Sequence, residues 1–246
     1  MTDQADLWFG GRLRLRQPER GGHRAGTDAV LLAHLLRPDP GATIFDLGAG
    51  TGAVGLAVAL LHPECRVVLV ERDSGLTGLA RENVENNGMT GRVRVVEADI
   101  LSPGRERHSA GLTPGMADLV LTNPPFFDEA RHRNSPHPGK RDAHSFGKGD
   151  LDGWVRTCAD VLAADGRLGL VHRADALGQC LDALGNRFGA IAVRPVHARD
   201  DRPAIRILAT ARKGSRAPMM LLPPLVLQDA EGRFTPAVEA MHRGEA

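Results

Sequence analysis

The apolar run Leu119-Val120-Leu121-Thr122 ends in Asn123-Pro124-Pro125-Phe126-Phe127, an amide, two prolines and two aromatics directly after strand-forming residues. Proline fixes φ and carries no N–H, so this segment cannot continue a sheet and its carbonyls stay available as acceptors. An exocyclic amine whose hydrogens bond to the Asn123 side-chain oxygen and the Pro124 carbonyl has its lone pair held out of conjugation and aimed at an electrophile. Positioning of that kind supplies most of the rate such a transfer needs. Phe126 can stack on the planar ring that carries the amine, a contact worth about 1–3 kcal/mol for a base on an aromatic side chain. Asn123, Pro124, Pro125 and Phe126 are the candidate catalytic group.

Upstream, FDLGAGTG places Gly48, Gly50 and Gly52 between a strand-like run and a helix-like one. Without a Cβ, such a turn lets a ligand approach the backbone, and free N–H groups at the helix start favour an anionic group nearby. The stretch Gly50-Thr51-Gly52-Ala53-Val54-Gly55 also satisfies the dinucleotide pattern, and Glu71 at the end of the next strand can hold a ribose in either case. Two further carboxylates tip the balance toward S-adenosyl-L-methionine. Asp46, inside the strand end, attracts the cationic methionine end of that cofactor and would repel a pyrophosphate. Asp99, in VVEADI, can accept a hydrogen bond from an adenine amino group. The electrophile offered to the amine is then a methyl group.

Alternating elements must position these residues. Ala42 to Leu47, Arg66 to Glu71, Val93 to Ala98, Ala117 to Thr122 and Arg167 to His172 read as strands. Between and around them Thr51 to Leu61, Ser74 to Asn87, Leu151 to Leu162 and Ala174 to Arg187 read as helices. Repeated strand-then-helix units imply a doubly wound α/β fold, a mostly parallel sheet with helices on both faces. Gly189 to His197 and Ala204 to Ala211 are joined by too short a link for a crossover helix and are expected to pair antiparallel. Ahead of the sheet, Leu7 to Arg16 suggests a hairpin turning at Gly10-Gly11, and Thr27 is placed to cap a short helix. The expected division is a hairpin extension over 1–26 and one catalytic domain over 27–246.

Composition narrows the classes. The 246 residues are 42% hydrophobic, enough for one substantial core. No apolar run approaches the roughly 18 residues that span a bilayer, and the acidic start MTDQAD does not read as a signal peptide, so a cytoplasmic protein is expected. Cys65, Cys158 and Cys180 are scattered, which argues against disulfides and against zinc, and no metal is suggested elsewhere. A net charge of +1 leaves any nucleic-acid binding to local clusters. There are two. Arg12, Arg14 and Arg16 alternate with leucines on one strand face, and Arg131, Arg133, Lys140, Arg141 and Lys148 crowd a loop that also holds His132, His137 and His144. A charged edge strand and a solvated loop would have the same composition.

FDLGAGTG, VVLVERD, VEADI and LVLTNPPFF, in that order and spacing, resemble the class I S-adenosylmethionine-dependent methyltransferases that act on amines. That resemblance implies a Rossmann-like, seven-stranded sheet with an antiparallel last strand. HRAGTDAVLLAHLL, the RLRLRQP hairpin and the RHRNSPHPGKRDAHSF loop look more specifically like bacterial methyltransferases that modify adenosine N6 beside the anticodon of valine tRNA. It implies that Thr27 and Asp28 lie near the cofactor, that Asn123 to Phe126 hold the adenine, and that the basic residues of hairpin and loop grip RNA phosphates. The family usually has tyrosine where this chain has Phe126, and NPPF also occurs in enzymes resembling ribosomal RNA guanine-N2 methyltransferases. A protein-glutamine methyltransferase is a further alternative within the reaction type. Outside it stand a dinucleotide-dependent oxidoreductase and a non-catalytic binder built on a cofactor fold.

Overall fold

The computed structural model describes residues 5–18, 24–126 and 150–245. The chain opens with a hairpin of β1 (Asp6–Trp8) and β2 (Leu13–Leu15), turning at Gly10-Gly11 where both residues have positive φ. Helix α1 (Thr27–Ala33) follows. Then come β3 (Thr43–Leu47), α2 (Ala53–Leu61), β4 (Arg66–Glu71), α3 (Ser74–Asn86), β5 (Val93–Glu97), α4 (Gly104–Ser109) and β6 (Ala117–Thr122). The remainder comprises α5 (Asp150–Val161), β7 (Leu162–Arg173), α6 (Leu177–Leu184), β8 (Phe188–His197), β9 (Ala204–Lys213), β10 (Met220–Leu221), β11 (Leu225–Val226) and α7 (Pro236–Arg243).

The sheet runs β10-β8-β9-β7-β6-β3-β4-β5, with β11 also paired to β8. Strands β3 to β7 are mutually parallel, and β9 lies antiparallel to both of its neighbours. The expected antiparallel pair is present. Among the described residues the sheet has nine strands where seven were expected, because the segment after β9 returns along β8 as two short parallel strands. Period-two side chains sort to two faces. Ile44, Val67, Leu69, Leu119 and Leu121 pack with α1, α2 and α3, while Phe45, Leu47, Val68, Val70, Val120 and Leu168 pack with α5 and α6. All three cysteines are free and buried.

Two local expectations are corrected. Thr27 does not cap α1: Gly26 holds the N-cap position, no side chain caps there, and Thr27 is the first helical residue. The helix expected over Ala174 to Arg187 is regular only from Leu177 to Leu184, with 3-10 turns on each side. Helix α4 forms after β5 in a stretch rich in glycine and proline, residues 102–115, and its lack of buried residues explains why no apolar period marks it.

The hairpin is welded to the sheet domain. Leu13 and Leu15 are fully buried in the core beside α2 and α3. The backbone of β2 finds partners on a helix instead of a third strand. Asn87 accepts from the Arg14 N–H at 2.9 Å and donates to the Arg14 carbonyl at 2.7 Å. Asn83 does the same for Arg16 at 2.7 and 2.9 Å, and its amide also donates to the Thr51 carbonyl at 3.0 Å. Two asparagines one helical turn apart thus satisfy an edge that would otherwise invite pairing. Asn83 is fully buried, so Asn83→Ala strands several backbone groups and is expected to cost about 2 kcal/mol. Asn87→Ala, at a more exposed site, is expected to cost less, and urea unfolding of the two variants measures the difference.

Candidate active site

Strand β3 is flanked by β4, which follows it in the chain, and by β6, which does not, so the sheet changes winding direction between β3 and β6. Ligands of doubly wound sheets bind at the carboxyl ends of strands at such a point. Leu47 pairs with Thr122 there, which brings the turn starting at Gly48 beside Asn123. One hydroxyl fastens the two ends. Thr122 Oγ1 donates to the Leu47 carbonyl at 2.7 Å and accepts from Trp154 Nε1 of α5 at 2.8 Å.

The glycine turn is built for close approach. Gly48 and Ala49 both donate to the Val70 carbonyl at 2.9 Å, and Gly48, Gly50 and Gly52 all have positive φ. A Cβ on Gly48 would stand 2.8 Å from the Trp154 ring, and one on Gly52 2.7 Å from Leu69. At Gly55 it would meet Leu69 at 2.2 Å, so α2 rests directly on the sheet. Gly50 differs, because open space lies where its Cβ would project. That opening, at a helix start and over strand-end carboxylates, fits a nucleoside-bearing cofactor.

The three acids sit at the ends of adjacent strands and each also holds backbone. Asp46 is buried, and its carboxylate accepts from the Gly55 N–H at 2.9 Å. Burial raises its pKa to about 7 against the opposing effect of that hydrogen bond, with the neighbouring Glu71 charge adding to the rise. Glu71 accepts from Gly50 N–H at 3.0 Å with one oxygen, and from Arg72 and Asp73 N–H at 2.9 and 3.0 Å with the other. Asp99 accepts from Leu101 N–H at 2.8 Å and lies 3.8 Å from Arg72.

At the β6 corner Pro124 is buried, Pro125 is exposed, and Asn123 and Phe126 are half-buried. Among the described residues the Asn123 side-chain oxygen is buried without a hydrogen-bond partner. Buried acceptors are normally paired, so an orphan at a cleft signals a ligand donor. Phe126 meets His172 edge-on, with ring centroids 5.0 Å apart, and the Arg206 guanidinium lies 5.3 Å from the Phe126 centroid. Burial lowers the His172 pKa, and its Nδ1 is a second buried orphan. A cavity of about 460 Å³ opens here, lined by Phe126, Arg173, Asp175, Ala204, Ile205 and Arg206.

Thr27 and Asp28, expected near the cofactor, start α1, and Asp28 pairs with Arg206 at 2.9 Å, which sets it on the Phe126 side of the corner. Arg12, expected to contact phosphate, lies at the far end of the hairpin against α7. Its guanidinium donates to the carbonyls of Phe9, Arg243 and Gly244, closing the end of α7. Arg16 pairs with Glu82, whereas the exposed Arg14 side chain has no partner among the described residues. Arg131, Arg133, Lys140 and Arg141, with Lys148 and the three loop histidines, lie outside the described residues. Sequence reading missed Asn83, Thr122, Trp154, His172 and Arg206. Among the described residues no group of histidine, cysteine and acids could hold a metal, and no helix is long and apolar enough to cross a membrane.

The model of the methyltransferase small domain matches residues 24–137. A tRNA1(Val) (adenine(37)-N6)-methyltransferase of Aeromonas hydrophila is 30% identical over 200 residues, covering 80% of this chain and 79% of its own. The chain belongs to this methyltransferase family. A family member from Porphyromonas gingivalis is 28% identical over 222 residues, covering 87% of this chain and 84% of its own. Among solved structures, an Agrobacterium tumefaciens protein described as a predicted O-methyltransferase superposes with a TM-score of 0.76 at 33% identity, covering 89% of this chain and 97% of that one. The cofactor of the family is S-adenosylmethionine, which the Gly50 opening and its flanking acids fit.

Asp46 gives the site a pH signature. Its pKa rises on folding from 3.8 to about 7, so the folded state binds the extra proton. The stability this contributes is fully present below about pH 4 and is lost as pH rises through about 7. Asp46→Asn removes that dependence. In urea titrations without ligand, the stability of wild type relative to Asp46→Asn is expected to fall between about pH 4 and pH 7 and to level off above that; a constant difference would show that Asp46 does not titrate in this way.

Proposed function

We propose that the chain transfers a methyl group from S-adenosylmethionine to N6 of an adenine in tRNA. The observation that carries this reading is the buried Asn123 oxygen at the end of β6, without a partner among the described residues and next to the glycine turn at the end of β3. Family relatives bearing the name tRNA1(Val) (adenine(37)-N6)-methyltransferase support it over most of the chain.

Bound at the turn, S-adenosylmethionine supplies an electrophilic methyl carbon. Glu71 would hold its ribose, Asp99 its adenine amino group, and Asp46 would favour its cationic end through space from behind the turn. Because a positive charge nearby favours ionised Asp46, cofactor binding is coupled to loss of a proton at that carboxyl near neutral pH. The chain's own part is orientation. The Asn123 oxygen and the Pro124 carbonyl accept the two hydrogens of the N6 amine, and Pro124 and Pro125 keep both acceptors fixed. Two adjacent acceptors suit an amine with two hydrogens, whereas a hydroxyl substrate would leave one unmatched. Phe126 stacks on the adenine. Anticodon-region bases suit this site because they are already splayed from a helix. Arg14 on the hairpin contacts RNA phosphate, joined by Arg131, Arg133, Lys140 and Arg141. The reaction would take place in the cytoplasm, where tRNA is.

Purified protein is expected to move label from S-adenosylmethionine to tRNA, with N6-methyladenosine as the labelled nucleoside. Asn123→Ala is expected to keep S-adenosylhomocysteine affinity and lose at least 100-fold in turnover, on the order of the loss when a positioned transition-state acceptor or donor is removed. Full turnover in that variant, or labelled N2-methylguanosine as the product, refutes the reading. Arg14→Ala is expected to weaken tRNA binding and reduce its salt slope by about one phosphate contact, leaving cofactor affinity unchanged.

A further inference from the structure

The rigidity of the β6 corner ends at Pro125, because proline fixes φ of its own residue and leaves the Phe126 side-chain torsions free. A stacking platform that can turn wastes the orientation the corner provides. Two described contacts set the ring. His172, buried near the end of β7, meets it edge-on. Arg206 of β9 lies over it, and that long side chain is itself held at two points besides the ring. Its Nε donates to Asp28 of α1 at 2.9 Å and its Nη1 to the Ile205 carbonyl at 3.0 Å. Without such restraints an arginine samples many rotamers. At 5.3 Å from the ring centroid the guanidinium leaves no space for a planar base between them, since two stacked layers need roughly 7 Å.

We propose that Arg206, tethered by Asp28, is a positioning residue that fixes the orientation of Phe126 and restricts a stacking base to the part of the ring the guanidinium leaves open. This rests on the reading of Phe126 as the base platform. The residues are 178 apart in sequence, so the tether ties the first helix to the strand beside β7 and sets the platform from outside the catalytic corner.

A double-mutant cycle on the full chain tests the proposal. Arg206→Met is expected to lower kcat about tenfold with saturating tRNA, to change KM for tRNA less than threefold, and to leave S-adenosylhomocysteine affinity and Tm unchanged. Arg206→Lys is expected to recover part of kcat. In a Phe126→Leu background, Arg206→Met is expected to lower kcat no further. Additive losses, or a loss confined to KM with a smaller salt slope, would make Arg206 a direct RNA contact and overturn the proposal. A fall in Tm with kcat unchanged would overturn it in favour of a purely structural role. The Arg206 Nε–H resonance gives a readout without substrate: it is expected to be ring-current shifted in wild type and to lose that shift in Phe126→Leu and Asp28→Asn. An unshifted wild-type resonance overturns the proposal even if tRNA is methylated. A shifted resonance and a non-additive cycle on some other amine product would support it while the adenine reading fails.

Discussion

The site depends on one shared hydroxyl. Thr122 donates to the Leu47 carbonyl and accepts from the Trp154 indole, so the last residues of β3 and β6 and the face of α5 are held together in a place water does not reach. A buried hydroxyl with both roles filled is worth more than either bond alone, because losing one partner strands the other in a low-dielectric interior. The glycine turn begins one residue after Leu47 and the proline corner one residue after Thr122. Their relative position is therefore set by a bond within the sheet and does not rely on the loops that carry them. The same indole presses on Gly48, which ties the path of the turn to the helix across the sheet.

Around this point carboxylates hold the backbone. Asp46, Glu71 and Asp99 each accept at least one N–H from the chain. Those bonds orient the side chains before any ligand arrives, which reduces the entropy lost on binding. Asp46 carries the cost of this arrangement, since burial raises its pKa to about 7.

Much of this was legible in the sequence. The strands at Arg66–Glu71 and Ala117–Thr122 begin and end where the apolar runs do, because both are buried on two faces. The antiparallel last pair followed from a link too short to cross over. What was illegible was mostly long-range. Arg12 and Arg14 look alike in RLRLR, yet the partner of Arg12 is the end of a helix more than 200 residues away. Arg206 has no local pattern that distinguishes it from other arginines on the last strands. Strands β10 and β11, two residues each, are too short to show a period. A signal was available for Asn83 and Asn87. Asparagine is a poor helix former, and two of them at helical spacing mark side chains bonding to a neighbouring backbone.

Asn83 touches both the hairpin at Arg16 and the glycine turn at Thr51 with a single amide. The hairpin is consequently no detachable accessory that could be exchanged for another element while the sheet and its turn stay as they are. Any graft at that edge would have to reproduce the carbonyl and N–H that Asn83 expects, or the turn loses the prop beneath it. Change along the outer strand is thereby channelled into outward-facing side chains such as Arg14, with the backbone path kept intact.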